Sequence, residues 1–123
     1  MSDKVKVMII DDSNTIRRSA ELFLAQAGYS VVLVENGFEA LAKILDERPS
    51  ILFIDVMMPR LDGYQTCQII KHHPDFKDMP IIILSSKDGV FDKAKGKMVG
   101  STEYLTKPFS KDAIIEAVKR YTQ

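Results

Sequence analysis

Asp11 and Asp12 stand side by side where an apolar run, Val7-Met8-Ile9-Ile10, gives way to the polar stretch Ser13-Asn14-Thr15. Like charges repel, and burial penalises each of them. A bound cation offsets both costs. Other short apolar runs also end in reactive side chains. Ile51-Leu52-Phe53-Ile54 ends in Asp55, Ile81-Ile82-Ile83-Leu84 ends in Ser85 and Ser86, and Glu103-Tyr104-Leu105-Thr106 ends in Lys107. Three carboxylates in a small pocket suit a hard divalent cation, and Mg²⁺ fits because it keeps several waters and takes few protein ligands. A metal and a lysine together neutralise phosphate charge, and a carboxylate can itself be the nucleophile. The residue types therefore predict Asp11 and Asp12 holding Mg²⁺ beside a nucleophilic Asp55.

These residues can act together only if the fold brings four strand ends to one edge. The apolar runs, with Val31-Val32-Leu33-Val34 among them, do not alternate with polar residues. Continuous branched runs of this length suit parallel strands buried on both faces. Between them lie segments with helical spacing. Ile16, Ala20, Phe23, Leu24 and Ala27 share one face, and Gly28 is a natural stop. Phe38, Leu41, Ile44 and Leu45 form a second face, with Asn36 as N-cap and Glu39 three residues on. A third helix is predicted from near Asp62 to before Pro74. A fourth, over about 88–99, contains Gly89 and Gly96 and so has poor intrinsic propensity. A fifth, over about 110–121, presents Ile114, Ile115 and Val118. Five strand-helix units with short connections predict an α/β fold, a (βα)5 doubly wound parallel sheet with right-handed crossovers and strand order 2-1-3-4-5. In such a sheet ligands bind beyond the carboxyl ends of the strands, where the order reverses. Strands one and three are neighbours there, which brings the three carboxylates together.

Composition narrows the function classes. Lys plus Arg (17) equals Asp plus Glu (17), so a bulk electrostatic grip on nucleic acid is not expected. No apolar run approaches the roughly 20 residues of a membrane span, and no signal peptide is visible. One cysteine, Cys67, cannot form an internal disulfide and fits a reducing cytoplasm. Residues 1–123 read as a single domain.

The ordered set of DDS, DVMMPRLDG, LSS and YLTKPF resembles the receiver domain of bacterial two-component response regulators, the CheY-like family within the flavodoxin-like folds. CheY is itself a standard example of the 2-1-3-4-5 order, so that expectation belongs partly to the resemblance. The longer stretches MMPRLDGYQTCQIIK and LSSKDGVFDKAKGKMVGS look closer still to stand-alone, PilG-like regulators of type IV pilus twitching motility. The resemblance implies that Asp55 accepts a phosphoryl group from a CheA-like sensor histidine kinase. It implies that Asp12, Asp55 and the backbone carbonyl of Met57 ligate Mg²⁺, with Asp11 acting mostly through water. Lys107 would pair with a phosphate oxygen, and the Lys107–Pro108 peptide would be cis. Ser85 and Tyr104 would be the switch pair, and the face of the fourth helix, fifth strand and fifth helix would carry the output to a downstream target. Such a protein catalyses only its own phosphorylation and dephosphorylation. Met57 offers no hydrogen bond to an attacking water, so slow self-dephosphorylation is expected. The basic run Lys87, Lys93, Lys95 and Lys97 makes an acidic partner surface plausible.

Each residue also has a plainer reading. The acidic pair can cap the first helix, Asp55 can be an ordinary strand end, and Lys107 a loop charge. Ser85 can be a turn residue, Tyr104 edge-strand packing, and the lysine run a solvated face. Cys67 reads as a half-buried helix residue without a redox role, and His72 and His73 as solvated residues at a helix end. Among whole functions, the alternative is a degenerate receiver acting as a phosphorylation-independent interaction module. A haloacid dehalogenase-type phosphatase would carry DxDx[TV] and a cap. A flavodoxin-like electron carrier would need a less acidic phosphate loop than DDSNT.

Overall fold

The computed structural model describes residues 5–56, 58, 61–85, 94–95 and 97–122. Its centre is a parallel five-stranded sheet of β1 (Lys6–Ile10), β2 (Ser30–Val34), β3 (Ile51–Asp55), β4 (Ile81–Ser85) and β5 (Glu103–Thr106), in the predicted order β2-β1-β3-β4-β5. Register aligns the carboxyl ends. Ile10 pairs with both Val34 and Ile54, Asp55 with Leu84, and Ser85 with Thr106. The residues that follow these positions therefore emerge along one edge.

Successive side chains on a strand point to opposite faces. Met8, Ile10, Leu52, Ile54, Ile81 and Ile83 enter one core cluster, while Val7, Ile9, Ile51, Phe53, Ile82 and Leu84 enter the other. Helices cover both faces, which is why β1, β3 and β4 each carry four consecutive apolar residues. Burying each of these large side chains contributes about 1.5–3 kcal/mol. β2 departs from the expectation: only Val34 is buried and its other residues are half-exposed. It has a neighbour on one side alone, so its apolar run marks an edge strand.

Local chemistry sets the helix starts. Before α1 (Asn14–Gln26), the Ser13 hydroxyl accepts a hydrogen bond from the Ile16 N–H, and Gly28 beyond its end adopts φ +92°. Before α2 (Gly37–Glu47), Asn36 accepts from the Glu39 N–H at 2.8 Å. The inward stripe of α2 is Gly37, Ala40 and Ile44, whereas Phe38 and Leu45 are 52% and 47% exposed. This corrects the predicted face. A Cβ at Gly37 would lie 2.2 Å from Thr66 Oγ1, so the helix meets its neighbour through backbone at that point and rotates Phe38 outward. Asp62 and Gln65 close a capping box on α3 (Gly63–His72), which ends before Pro74 as predicted. Of the predicted fourth helix, 94–95 and 97–98 are helical; Gly89, Gly96 and the remainder up to 93 lie outside the described residues. The C-terminal helix (Lys111–Thr122) buries Ile114, Ala117 and Val118. Among the described residues no helix is long and apolar enough to cross a membrane.

Candidate functional site

Asp11 continues the line of β1: its N–H donates to the Val34 carbonyl at 3.1 Å. Its side chain is fully buried and doubly anchored. Oδ1 accepts from the Ser13 N–H at 2.9 Å, and Oδ2 accepts from Lys107 Nζ at 3.3 Å. Asp55 ends β3, is 2% exposed, and accepts from the same ammonium at 3.1 Å through Oδ1. Asp12 is exposed, and its carboxylate makes no hydrogen bond or ion pair among the described residues. As residue types the two aspartates are equal, and only the family resemblance sets them apart; the fold makes Asp11 an anchored floor and Asp12 the open lip. The capping alternative for the pair fails at α1, because Ser13 fills that role.

Lys107 reaches the cleft from the end of β5. Its N–H donates to the Ser85 carbonyl at 2.7 Å, and the Lys107–Pro108 peptide is cis. Burial pushes the pKa of this lysine down, but the Asp11 and Asp55 carboxylates outweigh it, leaving the pKa raised.

The carboxylates of Asp11, Asp12 and Asp55 each offer an oxygen, all within 4.8 Å of one another. Two oxygens on one Mg²⁺ lie at most about 4.2 Å apart, given bonds of about 2.1 Å. Neighbouring oxygens of an octahedral ion lie closer still, about 3.0 Å apart, so an Mg²⁺ held by all three would draw the carboxylates inward, or a water would stand between the ion and one of them. The exposed Asp12 leaves room for the waters that Mg²⁺ retains.

Ser85 is buried at the end of β4, beside the cleft. Tyr104 is half-buried on the edge strand β5, opposite Ile83, against the core beneath α2 and α3. Met57, the expected carbonyl ligand, lies outside the described residues, as do Ser86, Lys87 and Lys93. Lys95 is exposed, as a solvated charge would be, and lies 4.8 Å over the Tyr64 ring. Cys67 is fully buried, not half-buried, and donates to the Val99 carbonyl at 3.5 Å.

Two residues at the site escape sequence reading. Arg17 is buried and donates to the Asp11 carbonyl at 2.6 Å. Its signal is a basic residue in register with Ala20 and Leu24 on the inward stripe of α1. Gly63 lies so near Asp55 that a Cβ there would be 2.1 Å from the Asp55 carbonyl oxygen. Only the glycine in LDG hints at it.

Residues 7–119 match the response regulator receiver domain. The chain belongs to this family. The receiver is 60% identical to Protein PilG of Pseudomonas aeruginosa, over 98% of this chain and 89% of that protein. It is 37% identical to the response regulator MprA of Mycobacterium bovis over 94% of its own length, and spans about half (49%) of that protein. Among solved structures, chemotaxis protein CheY4 of Vibrio cholerae superposes with a TM-score of 0.93 at 33% identity, covering 97% of this chain and 99% of the other. The receiver domain of the sensor histidine kinase PA1611 of P. aeruginosa, described with a magnesium ion coordinated in its active site cleft, gives 0.89 at 25% identity, with 98% of each chain covered. Membership as a receiver decides against the flavodoxin-like electron carrier that shares the strand order.

Proposed function

We propose that this receiver accepts a phosphoryl group on Asp55 in a Mg²⁺-dependent reaction and signals through the face that includes β5 and the C-terminal helix. The observation that carries the reading is the single lysine ammonium held between Asp55 and Asp11, with Asp12 completing an acidic cluster. An Asp55 carboxylate oxygen would attack phosphorus as the P–N bond of a donor phosphohistidine breaks, and the departing imidazole keeps its electron pair and is protonated. Lys107 would move from carboxylate to phosphoryl oxygen, offsetting charge where it accumulates. Asp11, Asp12, Asp55 and the Met57 carbonyl would hold Mg²⁺, which supplies charge neutralisation of the phosphoryl oxygens.

A CheA-like histidine kinase is the donor class that fits. Ser85 and Tyr104 would shift the population of output conformations, Ser85 through the phosphoryl oxygen and Tyr104 by packing inward. The likeness to PilG supports a target within type IV pilus control, and the lone cysteine fits a cytoplasmic setting. Residue 57 would set the phosphoryl lifetime, with Met57→Asn shortening it.

Incubation with acetyl phosphate and Mg²⁺, followed by intact mass measurement, tests the chemistry. Wild type should gain one phosphoryl group; Asp55→Asn, or wild type in EDTA, should gain none. No gain in any condition would leave the phosphorylation-independent interaction module standing.

A further inference from the structure

We propose that Arg17 is a positioning residue that aims Asp12 at the cation site; the inference rests on reading the acidic cleft as a Mg²⁺ site. Arg17 is only 9% exposed. Its guanidinium meets three partners: Nη1 donates to the Asp11 carbonyl at 2.6 Å, Nη2 donates to Asn14 Oδ1 at 3.0 Å, and Glu35 Oε1 lies 3.7 Å from Nη2. The Asp11 carbonyl belongs to the planar Asp11–Asp12 peptide. Fixing that oxygen fixes the plane from which the Asp12 Cα departs.

The three carboxylates differ in what else holds them. Asp11 has the Ser13 N–H and Lys107, and Asp55 has Lys107. The Asp12 carboxylate has no such partner among the described residues, so its direction depends on its backbone. Loss of the Arg17 contact therefore falls on Asp12 before it falls on Asp11 or Asp55. A guanidinium that merely satisfied a carbonyl and tied α1 to Glu35 would lower stability without singling out Asp12.

A double-mutant cycle on direct Mg²⁺ binding, followed by amide NMR titration, separates the two roles. Wild type, Arg17→Ala, Arg17→Lys, Asp12→Asn and the Arg17→Ala/Asp12→Asn pair are compared, each with its folded spectrum as control. Arg17→Ala should weaken Mg²⁺ binding about tenfold, the lower range for losing a partner that orients a metal ligand. Arg17→Lys should also weaken it, because a lysine cannot span the acceptors that a planar fork reaches together. In the Asp12→Asn background, Arg17→Ala should add less than about twofold. If Arg17→Ala does not fold, Arg17→Lys takes its place in the cycle. Wild-type affinity in the Arg17 variants, or equal losses in both backgrounds, would overturn the assignment. Failure of the wild type itself to bind Mg²⁺ would overturn both the site reading and this inference.

Discussion

Lys107 Nζ lies 3.1 Å from Asp55 Oδ1, joining residues 52 apart in sequence, and reaches Asp11 with the same ammonium. Two buried carboxylates on neighbouring strands thus share one cation supplied by the chain. Lys107 holds the cleft together here; in the proposed reaction it is the group that must change partner.

Replacing Lys107 with methionine removes the ammonium that both buried carboxylates share. Urea unfolding should show a loss of about 3 kcal/mol, the range for breaking a buried ion pair from one side. Added Mg²⁺ should restore part of that loss, and restore more in the variant than it adds to wild type. Equal stability of the two proteins without metal would contradict the arrangement.

The same lysine gives an alkaline signature. Its pKa is raised in the folded state, so its stabilisation is complete below the ordinary lysine value and disappears as pH rises through the folded one. The stability difference between wild type and Lys107→Met should therefore shrink above about pH 10.4. A difference that stays flat or widens there would count against it.

Cys67 offers a second test of burial. Desolvation pushes its thiol up to about 11, with Lys71 opposing weakly. Native protein at pH 8 should react slowly with a thiol reagent, and urea-unfolded protein quickly. Between about pH 9 and 11 the unfolded chain has released this proton while the folded chain retains it, so wild type should lose stability relative to Cys67→Ala as pH rises.

Gly63→Ala tests the close approach of α3 to the proposed phosphoacceptor. A Cβ 2.1 Å from the Asp55 carbonyl cannot be accommodated by a side-chain rotation. Backbone must shift, at a cost of about 1–3 kcal/mol. The acetyl phosphate reaction should slow because Asp55 shifts with it. Wild-type stability and rate together would show that the helix start moves freely.

Patterns along the chain were enough for the strands, and the family resemblance helped to order them. Unbroken branched runs specify strands covered on both faces, and their alternation with helical spacing leaves few topologies. Asn36 and Asp62 likewise announce their helix starts, because a cap acts within three residues of itself. The outward turn of Phe38 was not legible, since it depends on how closely Gly37 meets Thr66 from another helix. The chain's chemistry was legible as types at strand ends: Asp11, Asp12, Asp55, Ser85 and Lys107.

By itself the sequence determined the secondary elements among the described residues, the strand order that its family shares, and which residue types collect at one edge. Tertiary structure alone decided the surroundings of each of those residues. It buried Asp11 and left Asp12 open, set one lysine between two carboxylates, and turned Arg17 inward onto the Asp11 carbonyl. The physical reason is range. Periodicity and capping act over a few residues and are written in neighbours, whereas the environment of a charge depends on every group packed around it.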